Sequence, residues 1–343
     1  MVKSEPRAAV RLAVTMGDPT GIGPELIVRA LAPGGPLSPS VRDDVSVTLL
    51  GDRGVFERAA GLLGAESLAA LTRGITLIET SAISPDVAPG SAESGRAQVA
   101  ALEAAVRAPV DALVTAPIHK AACVAAGFAF PGHTELLAAR YGQSSPLPVT
   151  MLFAGPRLRV ALATIHVGLA RVPALLTVDG LASTIVQTAR ALAIDFGVVR
   201  PRVAVAGLNP HAGERGLFGD EEERVVAPAI ARAQAELGDA ASVSGPHVPD
   251  AVFRDALDGA RHDAVVALYH DQGLIPVKVI DFEEAVNVTL GLPIVRTSPD
   301  HGVAHDIAWQ PPGRARPTSF FAAVRLALSL ARHRARSRSA SNL

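Results

Sequence analysis

Three apolar, strand-like runs in this chain of 343 residues each end in a histidine. Residues 160–164 run into Ile165 and His166, residues 203–208 into Asn209, Pro210 and His211, and residues 264–269 into His270, Asp271, Gln272 and Gly273. Ligands of α/β proteins gather at the carboxyl ends of strands, where loops converge over the sheet edge. Neutral imidazole binds divalent metals, and three protein ligands with one open position make a catalytic centre. One metal held by His166, His211 and His270 is therefore expected, against the plainer alternative that each histidine is structural. Asp271, next to His270, is placed to orient a ligand or to accept a proton.

Other residues could hold an anion. Lys278, Asn287 and Arg296 follow His270 in successive elements and offer a point charge, a neutral donor and a bidentate fork, a set suited to a phosphate monoester or a carboxylate. His133 and Thr134 open a helix, where a hydroxyl, a ring nitrogen and backbone N–H groups can meet a phosphate; simple capping by Thr134 is the alternative. Lysine is rare: of 32 basic residues only Lys3, Lys120 and Lys278 are lysines, and the last two stand near histidine segments. The turn at residues 17–25 is neither a Walker A loop nor a Gly-x-Gly-x-x-Gly fingerprint. Residues 300–308, with Asp300, His301, Gly302 and Asp306, can shape a cofactor pocket or merely cover the sheet edge.

These residues need a frame. Short β-branched runs alternate with Ala/Leu-rich helical stretches, which predicts an α/β architecture with a largely parallel sheet. Expected strands are 11–15, 46–50, 75–79, 112–115, 159–164, 202–206, 264–268 and 286–289; expected helices are 24–30, 91–107, 134–141, 178–195, 220–237, 251–260 and 318–333. The Arg/Ser-rich end, residues 332–343, has no apolar face and reads as a disordered tail. A formal net charge of −1 gives no general nucleic-acid or membrane surface. No apolar run is long enough to span a bilayer, and the single cysteine, Cys123, fits a core position in a protein of the reducing cytoplasm.

The motifs Gly-Asp-Pro-Thr-Gly-Ile-Gly-Pro-Glu at 17–25, Pro-Gly-His-Thr-Glu at 131–135, Asn-Pro-His-Ala-Gly-Glu at 209–214, Tyr-His-Asp-Gln-Gly at 269–273 and Val-Asn-Val-Thr-Leu-Gly-Leu-Pro at 286–293 occur in that order. Together they resemble the 4-hydroxythreonine-4-phosphate dehydrogenase family of vitamin B6 biosynthesis, over residues 14–308. The resemblance implies a two-domain α/β fold like that of isocitrate and isopropylmalate dehydrogenases, with an active-site cleft between domains. The expected division is 1–130 plus 290–335 for the first domain and 131–289 for the second, with 336–343 as the tail. It also implies a homodimer whose sites both subunits share, and NAD or NADP bound without the usual fingerprint.

By position, His166, His211 and His270 match the family's metal ligands. His133, Thr134, Lys278, Asn287 and Arg296 match its substrate contacts, and residues 300–308 look like the adenine-side loop of the wider dehydrogenase group. The chain departs from relatives at Trp309-Gln310-Pro311-Pro312-Gly313, where a Gly-rich turn is usual. The implied reaction oxidises the secondary alcohol of 4-phosphooxy-L-threonine and then releases carbon dioxide, giving 3-amino-2-oxopropyl phosphate. Asp271, Lys278 or a metal-bound hydroxide is the expected proton acceptor. Three histidines suggest zinc, while an oxygen-rich substrate also suits cobalt, magnesium or manganese. Rival readings are a sister dehydrogenase for D-threonate or D-erythronate 4-phosphate, a metal-dependent phosphoester hydrolase, and a non-catalytic metabolite-binding protein.

Overall fold

The computed structural model describes residues 9–341 apart from positions 42, 66 and 312. Lys3, Asn342 and Leu343 lie outside the described residues. In chain order the elements are β1 (Val10–Thr15), α1 (Gly23–Leu31), β2 (Val45–Gly51), α2 (Arg53–Leu62), α3 (Leu68–Leu71), β3 (Thr76–Glu79), α4 (Ala92–Arg107), β4 (Ala112–Thr115), α5 (Lys120–Ala125), α6 (His133–Tyr141), β5 (Thr150–Ala154), β6 (Arg159–Leu162), α7 (Val172–Leu175), α8 (Val178–Ile194), β7 (Arg202–Ala206), α9 (Ala227–Leu237), β8 (Ser242–His247), α10 (Pro249–Asp255), β9 (Ala264–Ala267), α11 (His270–Asp281), β10 (Val286–Leu290), β11 (Val295–Pro299) and α12 (Thr318–Ser341). The chain forms two compact units, Met1–Leu147 with Leu292–Ala331, and Pro148–Gly291 with Arg332–Leu343.

In the first unit the strands run β3-β2-β1-β4-β11, every pair parallel. β4 is buried throughout and β1 everywhere but at Arg11, and apart from Arg11 and their terminal threonines both are apolar, as strands covered on both faces must be. From β1 the chain moves outward to β2, and it later returns to β1's other side as β4. That reversal leaves a crevice beyond the carboxyl ends of β1 and β4, the place where doubly wound sheets bind ligands. In the second unit the order is β10-β5-β6-β9-β7-β8. β10, β5 and β6 pair antiparallel, and β6, β9, β7 and β8 are parallel neighbours.

Two expectations change. The first unit continues to Leu147 rather than 130, because α6 packs back onto α4. Leu136 joins Leu102, Cys123 and Phe128 in one apolar cluster, and Arg140 NH2 meets Glu103 Oε1 at 2.6 Å. The supposed disordered tail is helical to Ser341. Its arginines bind rather than wander: Arg334 donates Nε and NH2 to the Asp195 carboxylate at 2.6 and 2.7 Å, and Asp195 is buried at the end of α8. A bidentate pair of this kind fixes the last turns of α12, beyond Ala331, the last of the helix's buried apolar residues. Among the described residues, no single helix is long and apolar enough to cross a membrane.

Candidate active site

The strands that lead to the three histidines, β6, β9 and β7, lie side by side and parallel in the second unit. Their carboxyl ends therefore share one sheet edge. His166 and His270 come together there, with ring centroids 5.5 Å apart. His270 is the first residue of α11, and its Nδ1 donates to Asp271 Oδ1 at 2.7 Å. An ionised carboxylate only accepts, so the proton stays on Nδ1 and the Nε2 lone pair is left for a metal. Asp271 thus occupies an orienting position rather than that of an unengaged base.

α11 was not expected from the sequence. Gly273 and Pro276 break its pattern, yet Gly273 serves the packing. A Cβ there would meet Leu162 Cδ2 at 2.6 Å and Val160 Cγ1 at 2.9 Å, so only glycine lets the helix lie on β6. Gln272, buried, accepts from Leu268 N at 2.7 Å and donates to Gly207 O at 2.7 Å. It ties the start of α11 to the ends of β9 and β7, a positioning role that the sequence did not single out.

His211 stands apart from that pair. Among the described residues, no group of three or more His, Cys, Asp or Glu side chains is placed to hold a metal. The convergence expected of three histidines is met by two within one chain. The physical reason is the turn after β7. Leu208 N and Asn209 N both donate to Glu222 Oε1, at 2.7 and 2.8 Å, and His211 follows with φ 53°, its side chain 67 % exposed beside Glu214 and Phe218. His166 also has positive φ, at 44°. Left-handed backbone costs a side-chain-bearing residue about 1–2 kcal/mol, and such strain collects at functional sites. Elsewhere in this unit, Lys278 Nζ lies 5.2 Å from the Phe282 ring centroid. Asn287, on β10, keeps an enclosed Oδ1 with no hydrogen-bond partner among the described residues.

The first unit collects cations around the start of α6. Arg296, on β11, is 2 % exposed and donates NH2 to Thr115 Oγ1 at 2.7 Å. Burial pulls its guanidinium down to about 10, against the opposing charge of Glu135. It remains charged at neutral pH. His133 begins α6, whose N-cap, Gly132, offers no side chain, and Thr134 is buried inside the first turn rather than capping it. Burial, then the charges of Arg296 and Lys120, hold the His133 imidazole well below its ordinary range, so it is neutral. Its Nε2 is enclosed with no hydrogen-bond partner among the described residues. A neutral donor-acceptor, a buried fork and the first amides of a nine-residue helix make a cradle for a dianionic group. Lys120 belongs to this charge cluster too, and the sequence had marked it only by its rarity.

This arrangement has a pH signature. Unfolded imidazoles titrate near 6.5, whereas burial lowers the folded values of His133, His247 and His262. The unfolded chain therefore binds more protons as pH falls through about 6.5, and stability drops with it. The urea midpoint is expected to be lower at pH 5.5 than at 7.5, above the range where carboxylates titrate, with a smaller drop in His133→Gln. A midpoint that is flat or rises toward acid would contradict the neutral assignment.

At the β1/β4 reversal sits a closed polar network. Asp18, fully buried, accepts from Thr20 N and Oγ1 at 2.9 and 2.7 Å, from Ser94 Oγ at 2.8 Å, and contacts His305 Nε2 at 2.9 Å. Gln98 extends it, donating to Ser94 Oγ and accepting from His119 N at 2.8 Å. Gly17, at φ 71°, lies so close to Pro117 O that a Cβ would fall 2.4 Å from it. Ile22 N donates to Val303 O at 3.0 Å. Residues 300–308 are thus held against the Gly17–Pro24 turn by Asp18 and His305, two residues that the sequence reading had quoted but given no role.

Of the expected cofactor residues, Asp300 N donates to Ser319 Oγ at 3.3 Å, the His301 ring Nδ1 lies 3.0 Å from Gly302 O, Gly302 borders open space, and Asp306 O accepts from Gln310 Nε2 at 2.6 Å. Beyond them Trp309 adopts φ 61° and encloses its Nε1 with no hydrogen-bond partner among the described residues. An open glycine turn and an unsatisfied indole donor fit a nucleotide. Cys123 plays no part, since burial pushes its thiol up to about 11.

The family model described as pyridoxal phosphate biosynthetic protein PdxA matches residues 43–327. Among curated proteins, a 4-hydroxythreonine-4-phosphate dehydrogenase from Desulfosudis oleivorans is 46% identical, the match covering 93% of this chain and 96% of that one. Another, from Burkholderia vietnamiensis, is 45% identical over 95% and 98% of the two chains. The crystal structure of a 4-hydroxythreonine-4-phosphate dehydrogenase from Klebsiella pneumoniae is 38% identical, with a TM-score of 0.80 over 94% of this chain and 100% of that one. A terephthalate 1,2-cis-dihydrodiol dehydrogenase from Burkholderia xenovorans is similar at 30% identity and a TM-score of 0.64, over 94% and 98%. The chain belongs to the 4-hydroxythreonine-4-phosphate dehydrogenase family.

Proposed function

We propose that this protein is a metal-dependent NAD-linked dehydrogenase that oxidises 4-phosphooxy-L-threonine at its secondary alcohol and decarboxylates the resulting β-keto acid to 3-amino-2-oxopropyl phosphate. The observation that carries the reading is the imidazole pair His166 and His270, which follow the carboxyl ends of adjacent parallel strands, with His270 Nδ1 taken by Asp271. A divalent metal there would act as a Lewis acid on the alcohol oxygen and on the charge left by carbon dioxide. Asp271 holds His270 in the tautomer that presents Nε2. His133, Thr134 and Arg296 receive the phosphate, and fixing that end aims the carbinol C–H bond at the nicotinamide. Lys278 and Asn287 are the second unit's substrate contacts, with Lys278 the side chain that accepts the hydroxyl proton. Hydride passes from the carbinol carbon to NAD and the hydroxyl proton to the base; the carboxylate then leaves as carbon dioxide, and the carbon that held it takes a proton in its place.

The third ligand is the partner subunit's His211 in a homodimer. Two observations support this: His211 is exposed and apart from the pair, and α11, the helix that begins with His270, exposes Ile275, Val279 and Phe282 at 64%, 80% and 69%. Their i, i+4, i+7 spacing makes one apolar stripe.

Metal-dependent NADH formation from 4-phosphooxy-L-threonine, with release of carbon dioxide, tests the reading. Phosphate release without nucleotide would replace it with a hydrolase. A second substrate class is favoured by the likeness to the dihydrodiol dehydrogenase, whose named substrate carries no amino group. Faster turnover of D-threonate or D-erythronate 4-phosphate than of the amino substrate would select that alternative.

A further inference from the structure

The second unit holds another pair of imidazoles, outside the site described above. His247 ends the edge strand β8, and His262 stands two residues before β9. Their ring centroids are 5.0 Å apart. We propose that His247 and His262 bind one divalent transition-metal ion of the zinc, copper or nickel type, with water in its remaining positions. This site stands apart from the proposed dehydrogenase machinery, which uses neither histidine.

A metal about 2.1 Å from each ligating nitrogen, at tetrahedral angles, holds two imidazole centres about 5 Å apart. The His247 ring is already oriented, with its Nε2 2.8 Å from Ser244 Oγ. That contact leaves Nδ1 for the ion, and ligating imidazoles ordinarily have their second nitrogen held in this way. Both histidines are half-buried, and burial is the first cause that holds each below the usual imidazole range. Neutral rings keep the lone pairs that a metal needs. The Asp255 carboxylate favours positive charge at both rings, while Arg202 and Arg261 oppose it at His262. Each of these arginines is paired: Arg202 NH2 lies 2.9 Å from Asp263 Oδ1, and Arg261 NH1 lies 3.2 Å from Asp255 Oδ2. Imidazole ligands select borderline ions over magnesium and calcium, which take oxygen. An ion held here would tie the edge strand β8 to the segment that enters β9, with β7 between them.

Zinc titrated against a chromophoric chelator reads the site. Full-length protein carrying His166→Ala and His270→Ala, and so without the proposed catalytic pair, is expected to keep one zinc per chain and to melt at a higher temperature with zinc bound. Adding His262→Gln or His247→Gln should remove that zinc. Ser244→Ala should weaken it about tenfold, as loss of a ligand's orienting partner does. A large excess of magnesium should not displace it. In protein with the catalytic pair intact, His262→Gln should lower bound zinc by one equivalent per chain. Melting curves without metal establish that each variant folds. Folded His166→Ala/His270→Ala protein that binds no zinc, or zinc undiminished by both glutamine substitutions, would overturn the site. Zinc held in the absence of the catalytic pair leaves the dehydrogenase reading to be decided by turnover alone.

Discussion

His166→Ala and His211→Ala proteins, each inactive alone, are expected to recover activity when unfolded together and refolded as a mixture. Each variant should lose about a thousandfold or more in metal-dependent NADH production, because a Lewis acid contributes several kcal/mol to the barrier. The partial recovery follows from where the imidazoles stand. His166 and His270 form a pair within one chain, whereas His211 is held away by the turn tied to Glu222. In a two-fold dimer each metal would then take His166 and His270 from one subunit and the partner subunit's His211. A hybrid dimer has one intact set and one doubly damaged set. Random pairing makes half the dimers hybrids, so about a quarter of the unmutated activity should return. A control mixture of His166→Ala with His270→Ala damages the same half of every site and should stay inactive. No recovery in the first mixture, or equal recovery in both, would remove the shared-site assignment. Bound metal per chain, measured by mass spectrometry, should follow the same pattern.

Arg296→Ala is expected to raise KM for the phosphorylated substrate by about 100-fold with a smaller change in kcat. Losing one partner of a buried charge-assisted contact costs about 2–5 kcal/mol, and here the guanidinium is 2 % exposed and held by Thr115. Arg296→Lys should recover only part of the loss, since an ammonium supplies charge without the fork. The loss should nearly vanish when the unmutated and variant proteins are compared on a substrate lacking phosphate. An unchanged KM in a folded Arg296→Ala protein would take the phosphate away from this group and give it to Lys278 and Asn287.

Much of the architecture was legible because burial writes a simple pattern. The parallel strands β1, β4, β7 and β9 are short apolar runs, and each was expected within a residue or two. β5, β8 and β11 were not expected. Thr150–Ala154 follows a polar, proline-containing stretch, and Ser242–His247 is a half-exposed edge strand that contains Gly245 and Pro246. α11 was hidden by Gly273 and Pro276, which act as breakers in isolation and are tolerated where close packing on β6 requires the glycine. The three histidines proposed as metal ligands were visible through their common strand-end context. Their division into a pair and a separate third was not, because no periodicity records where a left-handed turn aims a side chain. Asp18 and His305 escaped for a different reason: they lie 287 positions apart, and only the β1/β4 reversal joins them. The Arg/Ser-rich end shows composition misleading outright, since Arg334 finds the buried Asp195 and the segment is helical.

The adjacency of β6 and β9 carries one more consequence. Neighbouring strands stand about 4.8 Å apart, a dimension set by backbone hydrogen bonds and not by side chains. The His166 and His270 rings, 5.5 Å apart, follow the ends of these two strands by four and three residues, so the sheet brings their turns to one edge. In the proposed metal site, ions of different radius would be accommodated by imidazole rotation and by the third donor, while the strands beneath keep their spacing. Exchange of one metal for another at the proposed site should then retune catalytic rate without a change in the melting behaviour of the strands beneath it.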